Sequence, residues 1–585
     1  MAILGIDVGG TFTDAVLLEE GQLRIAKVPT AVQQEESVLA TLRVLGLDPR
    51  GVEHFRHGTT IATNALLEQK GARTAFVATA GFEHLLHLRR QTRAHLYRPC
   101  QAHPEPLVPL DRSYGVEERV GPDGVLVPLR LESLPEVDAE AVAVCLLFSF
   151  RDPEHERLVA EELRRRLPDA HVVASHEVAP EFREYERAST TAIDAYLGPV
   201  LGRYLRALAA RCTQEGLREP LLMRSSGGVA TLEEAAAHPA LALLSGPAAG
   251  AVGAARIAGL ADVATAISFD MGGTSTDVCW ISDGEVERTS ERTVGGLPVR
   301  LPSLDVHTVG AGGGSIAWVD VGGALRVGPR SSGAEPGPAC YGRGGTEPTV
   351  TDANLVLGRL PERLAGGLTL DREAAERALR GLDAAAVVEV VDAEMLRALR
   401  TVSVERGHDP RDAALVAFGG AGPLHACALA EELEIETVLV PETAGVLSAL
   451  GLAASDERRD SVRSFVVPLM EAGALPEEGE ADLRYRGQSF ELPVPLGGGP
   501  QQVSERFHRA HAERYGYADT ERTVELVAVR TAEVRPGPEL ELPAAAALNV
   551  SGPAVVELDG ATCWVPPGWV GVRDGTSTTL TLTKA

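Results

Sequence analysis

Residues 6–14 read IDVGGTFTD and residues 269–277 read FDMGGTSTD, so Asp, Gly-Gly-Thr, Thr and Asp recur at one spacing 263 residues apart. Each copy follows an apolar run (residues 3–6 and 266–269) and precedes another (residues 15–18 and 278–281). Strand, terminal Asp, glycine turn, hydroxyl residues, Asp and second strand spell a β-hairpin. One Gly-Gly turn says little. Two matching copies in one chain point to a duplication in which two lobes each present a hairpin. Glycines let the backbone approach an anion and offer N–H groups as a nest, threonines add donors, and strand-end carboxylates suit a magnesium ion. Phosphate is therefore expected on Gly9, Gly10, Thr11 and Thr13 of one hairpin and Gly272, Gly273, Thr274 and Thr276 of the other. Asp7 and Asp270 would hold Mg2+ across a cleft, with Asp14 and Asp277 bracing their own hairpins.

Two further glycine runs extend the pattern. Residues 415–423, LVAFGGAGP, form an apolar strand running into a turn, followed by a helical stretch over 424–433. Gly419, Gly420 and Gly422 would let a base and ribose lie flat on the backbone, making this the adenosine site. Residues 305–315, DVHTVGAGGGS, are too glycine-rich for filler, because glycine inside an element costs stability. Gly312 and Gly313 are expected to approach phosphate or substrate, with His307 beside them. His57, in HGTT (57–60), is expected to line the same cleft. For His84 and His87, at helical spacing, a packed or solvated helix face outweighs a metal site, and Arg90, Gln91 and Arg93 read as a solvated basic spot.

Composition narrows the class. The 585 residues, 44% hydrophobic and 23% charged, are those of an ordinary globular chain able to bury several cores. A net charge of −27 makes nucleic acid and anionic membrane surfaces poor partners, leaving small molecules and proteins. The three lysines, Lys27, Lys70 and Lys584, none after a glycine, exclude a Walker A loop and disfavour a pyridoxal Schiff base. Seven cysteines without a CxxC pair exclude a compact zinc or iron–sulfur framework and suit reduced thiols. Without a basic apolar leader, a cytoplasmic location is expected.

The order of the two hairpins and the adenosine turn resembles the actin, Hsp70 and sugar-kinase superfamily. Denser stretches resemble the hydantoinase A/5-oxoprolinase family: RHGTTIATNALLEQKGART (56–74), EFREYERASTTAIDAYLGP (181–199), MRSSGGV (223–229), LLSGPAAGAVGA (243–254), DVHTVGAGGGSIAWVD (305–320), GAEPGPACYGRGGTEPTVTDANLVLGRL (333–360) and GHDPRDAALVAFGGAGPLHA (407–426). The tail matches more weakly, through DLRYRGQSFELPV (482–494), FHRAHAERYGY (507–517) and VPPGW (565–569). Arg89 stands where that family usually has glycine, and Asp194 where asparagine is expected.

The resemblance implies an α/β, two-lobed, duplicated actin-like (ribonuclease H-like) ATPase fold. Its expected parts are residues 1–176 as first lobe, 177–456 as second lobe with a helix near 180–204 leading out of the first, and 457–585 as an additional β-rich C-terminal domain. It implies ATP and Mg2+ as cofactors, with Asp7, Asp270, His57 and His307 as catalytic candidates. The implied activity is that of the A-type subunit of an ATP-dependent cyclic amide hydrolase, which phosphorylates the carbonyl oxygen before ring opening. A separate B-type subunit would complete a hetero-oligomer. The alternatives are an ATP-dependent ketone carboxylase subunit and a non-enzymatic nucleotide switch of the Hsp70 kind.

Overall fold

The apolar run at the N-terminus forms β1 (Ala2–Val8), buried along almost its whole length, with β2 (Phe12–Glu19) and β3 (Gln22–Pro29) following as an antiparallel meander. β4 (Val52–Thr59) returns parallel to β1, and the strand Leu221–Met223 lies parallel beyond it. The computed structural model describes residues 2–364 and 368–585.

Between β4 and the second hairpin the chain builds an inserted sheet of four parallel strands, in the order His171–Ala174, Ala141–Cys145, Thr74–Thr79 and Ser113–Val116. It leaves through α1 (Glu184–Glu215), which runs on past the end expected near Tyr204. Leu201, Tyr204, Leu205, Leu208 and Cys212 continue the buried stripe, and the helix stops only at Gly216, whose φ of +74° suits a glycine cap. α2 (Ser245–Leu260) follows. Next come β5 (Thr265–Met271) and β6 (Thr276–Ser282), antiparallel, then β7 (Ala414–Phe418) parallel to β5, α3 (Gly422–Leu433), and β8 (Thr437–Pro441) parallel to β7. The two sheet centres thus repeat one strand order and direction, and the duplicated hairpin is the duplicated half of each lobe. The chain has the expected actin-like α/β class.

The C-terminal region is β-rich as expected, with one α-helix, Gly499–Tyr515, and a short 3-10 turn, Leu469–Glu471, besides. Strand pairing does not follow the boundaries expected near 176 and 456. Strands Leu221–Met223 and Val229–Ala230 belong to the first sheet, and Glu457–Pro468, Glu480–Tyr485, Leu492–Pro495 and Val524–Arg535 extend it to ten strands. Thr579–Lys584, Trp569–Arg573 and Leu548–Ser551 instead extend the second sheet beyond β8. Composition marks where the chain turns; it does not say which open sheet edge a later strand will find.

α4 (Leu447–Ala454) packs on β1, β2 and β4 and on α2, while α2 packs on β4 of the first sheet and on β5 and β7 of the second, so the helix pair joins the two sheets. Their crossing is close because it is made of small residues. A side-chain carbon on Gly451 would run into the Ala249 carbonyl and sit 2.7 Å from the Gly253 nitrogen, and one on Gly5 of β1 would collide with the Ala449 carbonyl. No flexible side chain is available to move aside, so overpacking here displaces backbone. Gly451→Val is expected to cost about 3 kcal/mol or more, read as a lowered melting temperature or loss of soluble protein; an unchanged melt would show that the crossing is loose.

Candidate functional site

Cross-strand register sets the site. Gly58, Asp7, Asp14 and Lys27 stand in one row across β4, β1, β2 and β3. The second sheet repeats the row as Phe418, Asp270, Asp277 and Thr308, across β7, β5, β6 and the strand His307–Val309. Directly paired residues face the same way, so each sheet presents two carboxylates on one face. α2 meets both rows with one face. A carbon added at Gly246 would lie 3.9 Å from both Asp7 carboxylate oxygens, and one at Gly250, a turn later, 3.2 Å from Asp270 Oδ2. The glycine turn after β7 closes on Asp270 as well: Gly419 has φ +78°, and a carbon there would collide with Asp270 Oδ1 and lie 2.8 Å from the Met271 carbonyl carbon. Only glycine satisfies both conditions.

Burial opposes negative charge at this site. Asp7 is pushed up to about 7, first by burial and then by the neighbouring charge of Asp14, with Lys27 pulling it back. Asp270 is held well above the usual carboxylate range by burial, with Asp277 and Asp7 adding to it. Burial raises Asp277 to about 6 against a hydrogen bond from Thr308, and raises Asp14 against the pull of Lys27. Lys27 Nζ donates to Asp14 Oδ1 at 2.6 Å, while Asp7 Oδ1 is buried with no hydrogen-bond partner. A buried, orphaned carboxylate oxygen beside a second desolvated carboxylate fits a hard divalent cation such as Mg2+, which takes one or two carboxylates and completes its shell with phosphate and water.

The turns are less generous to phosphate than their sequence suggests. Thr13 and Thr276 are wholly buried; Thr13 shares a hydrogen bond with Thr30 at 3.0 Å, and Thr276 donates to the Ala311 carbonyl at 2.6 Å. These two hydroxyls stiffen the hairpins. The Gly9 and Gly272 amides close their own turns on Phe12 and Ser275, which leaves Gly10, Thr11, Gly273 and Thr274 at the accessible tips. Gly312 and Gly313 are also corrected: their N–H groups go to Ser315 Oγ at 2.9 Å and the Gly272 carbonyl at 3.0 Å. That loop braces the second hairpin from behind and does not offer these amides to an anion. Gly420 and Gly422 take the expected place at the start of α3, with the intervening Ala421 N–H held by the Met271 carbonyl at 3.0 Å.

Both histidines miss the carboxylate face, for one reason. His57 pairs with Ile6 and His307 with Val278, each one residue out of the row, and alternation along a strand sends them to the opposite face. His57 is wholly buried between the Ile6 carbonyl at 3.1 Å and the Tyr204 hydroxyl at 2.7 Å, and burial lowers its pKa to about 4. His307 is half-buried, lowered by burial and by Arg406, which is ion-paired with Asp305.

Other candidates resolve simply. The Arg90 guanidinium is taken by Glu186. Among the described residues, no three His, Cys, Asp or Glu side chains group as a metal site, His84 and His87 included. Arg89 has φ +53°, the backbone state glycine prefers. Asp194 is buried and accepts from the Ala240 N–H at 2.7 Å. Sequence reasoning missed Lys27, Gly58 and the start of α2; the scarcity of lysine was the one available signal for the first.

The Hydantoinase/oxoprolinase family model matches residues 187–461, and that of the Hydantoinase/oxoprolinase N-terminal region matches residues 3–167. The caprolactamase subunit alpha of Pseudomonas jessenii is 32% identical over 97% of both chains. The acetophenone carboxylase gamma subunit of Aromatoleum aromaticum is 36% identical over 84% of this chain and 72% of its own. The crystal structure of ATP-dependent caprolactamase from Pseudomonas jessenii superposes over the whole of both chains with a TM-score of 0.84 at 31% identity. The chain belongs to the hydantoinase/oxoprolinase family.

Two outcomes test this site. A carboxyl group whose folded pKa exceeds its unfolded value of 3.8 stabilises the fold most below pH 4, and that contribution fades as pH rises toward 7. In metal-free protein, Asp7→Asn should therefore match the wild type in melting temperature near pH 4 and exceed it at pH 8; equal melts at both would remove the buried-acid assignment. His57→Asn should lower the melting temperature while leaving the pH dependence of nucleotide binding unchanged, whereas a shifted pH profile would return His57 to the chemistry.

Proposed function

We propose that this chain is the A-type subunit of an ATP-dependent cyclic amide hydrolase, moving the γ-phosphoryl group of ATP onto the substrate carbonyl oxygen so that the ring can be opened. The observation that carries this reading is the pair of matching carboxylate rows, with Asp7 and Asp270 brought to one face of α2 at Gly246 and Gly250 and Gly419 against Asp270. Similarity to a caprolactamase along the full chain supports the substrate class. An amide carbon is a poor electrophile; phosphorylating its oxygen draws electrons from that carbon, so that water can add, the ring C–N bond can break with the nitrogen leaving as an amine, and the resulting acyl phosphate can be hydrolysed to carboxylate and phosphate. Such a transfer asks the protein mainly for positioning and charge neutralisation.

In this reading Asp7 and Asp270 hold Mg2+, which when bound neutralises phosphate charge. Gly10, Thr11, Gly273 and Thr274 meet the phosphates at the hairpin tips, and Gly419, Gly420 and Gly422 carry the adenosine. A B-type subunit finishes the hydrolysis as part of a hetero-oligomer; the relative named as subunit alpha and the one named as subunit gamma are in keeping with a partner. Carboxylation of a ketone is the second reading, favoured by the 36% identity to the acetophenone carboxylase subunit.

The experiment is ATP hydrolysis measured with and without lactams, hydantoins, 5-oxoproline and ketones, in the presence of a B-type partner. Cyclic-amide-dependent ADP release supports the first reading, and bicarbonate-dependent turnover with a ketone the second. Asp7→Asn and Asp270→Asn should each lower turnover by about a hundredfold or more while leaving the far-UV spectrum intact; near-normal rates in either would remove it from the metal site.

A further inference from the structure

The two carboxylate rows match except at their last position. In the second row Asp277 accepts from the neutral Thr308 hydroxyl; in the first, Asp14 accepts from the Lys27 ammonium. Lys27 does more than pair a charge. Its ammonium also donates to the Gly445 carbonyl at 3.2 Å and lies 5.3 Å from the centre of the Phe12 ring. Gly445 belongs to the short 3-10 turn Ala444–Val446 that leads from β8, a strand of the second sheet, into α4. The preceding carbonyl, Ala444 O, accepts the Gly419 N–H at 2.9 Å. A continuous bonded path therefore runs from Asp14 of the first hairpin through Lys27 to this turn, and on to the first glycine of the adenosine turn. The turn has little freedom to find another position, since a carbon on Gly445 would collide with Gly560 of a C-terminal hairpin. The side chain of Lys27 remains about one-third exposed, at 32%, so it can adjust without unpacking the core.

Resting on the nucleotide reading above, we propose that Lys27 is the positioning residue that ties the first lobe to the adenosine turn, so that a nucleotide is gripped by both lobes only while this bond is made. It acts on the nucleotide through Gly445 and Gly419 and touches no reacting atom. Because the path leads to the base and ribose, loss of Lys27 weakens every adenine nucleotide by a similar factor, however many phosphates it carries. A residue that only neutralised phosphate would weaken ATP far more than AMP.

The test uses the full-length chain with fluorescent N-methylanthraniloyl derivatives of ATP, ADP and AMP, in the wild type, Lys27→Met and Lys27→Arg, beside a melt of each protein without nucleotide. Lys27→Met should weaken all three nucleotides by about tenfold, the scale of one charge-assisted hydrogen bond. Its effect on turnover should appear as a raised KM for ATP with kcat little changed. Lys27→Arg, which keeps a cationic donor, should recover most of the affinity. Unaltered binding in Lys27→Met overturns the inference, as does a loss confined to ATP, or an equal loss in Lys27→Arg with a normal melt. If the wild type itself binds none of the three, the nucleotide reading fails first, and that outcome is distinct from failure of Lys27 alone.

Discussion

The close crossing of α2 and α4 is the constraint on which the rest of the molecule depends. Helix axes approach closely only where side chains are small or absent, and the contact is made by Gly451 against Ala249 and Gly253 against Leu447, while Gly5 of β1 packs as tightly on Ala449 of α4. With the helices at that separation, β1 and β5 can bring Asp7 and Asp270 up to the same short stretch of α2, at Gly246 and Gly250. Bulk anywhere in the crossing would push the sheets apart and leave each carboxylate pair in its own lobe. A duplicated hairpin is only half of a two-sided site; the other half is a pivot thin enough for the two copies to meet.

That closeness has an electrostatic cost. Four carboxylates are desolvated at one interface, and among the described residues Lys27 is the cation that acts on Asp7, Asp14 and Asp270 together. Burial first, and then repulsion between neighbouring carboxylates at Asp7 and Asp270, favours the protonated carboxyl over the charged one. The site is thus poised against a missing positive charge, and a divalent ion arriving with an anionic ligand would relieve it. Strain of this kind is tolerated in a fold because the surrounding sheets are deeply buried and over-determine the positions of β1 and β5.

Much of this was legible in the amino-acid sequence because it is local. The Asp-Gly-Gly repeat contains the strand end, the turn and the carboxylates within nine residues, and the strand–glycine–helix run at 415–423 carries its own conformation. What was misjudged depends on register. His57 and His307 stand beside the right residues in sequence but on the opposite faces of their strands, a matter of one residue in pairing. Lys27 was overlooked because its meeting with Asp14 is a cross-strand pair, and its meeting with Gly445 joins residues 418 positions apart. Gly312 and Gly313 looked like an anion cradle because glycine permits close approach; here the approaching partner is the hairpin's own backbone. The C-terminal strands were seen as strands, yet which sheet receives them is decided by long-range edges.

Those C-terminal strands also give the molecule a second strap. Strand Val524–Arg535 is built into the first sheet and Leu548–Ser551 into the second, so residues 536–547 join the lobes by a further covalent route, which packs at Gly537 against the Ala454 carbonyl at the end of α4. Fully drawn out, such a segment reaches roughly 40 Å, and Pro536, Pro538 and Pro543 together with the buried Leu540 keep it from paying out freely. Any parting of the lobes to exchange ligand is therefore bounded from outside as well as at the pivot, much as a door on a chain opens to a set gap and no further.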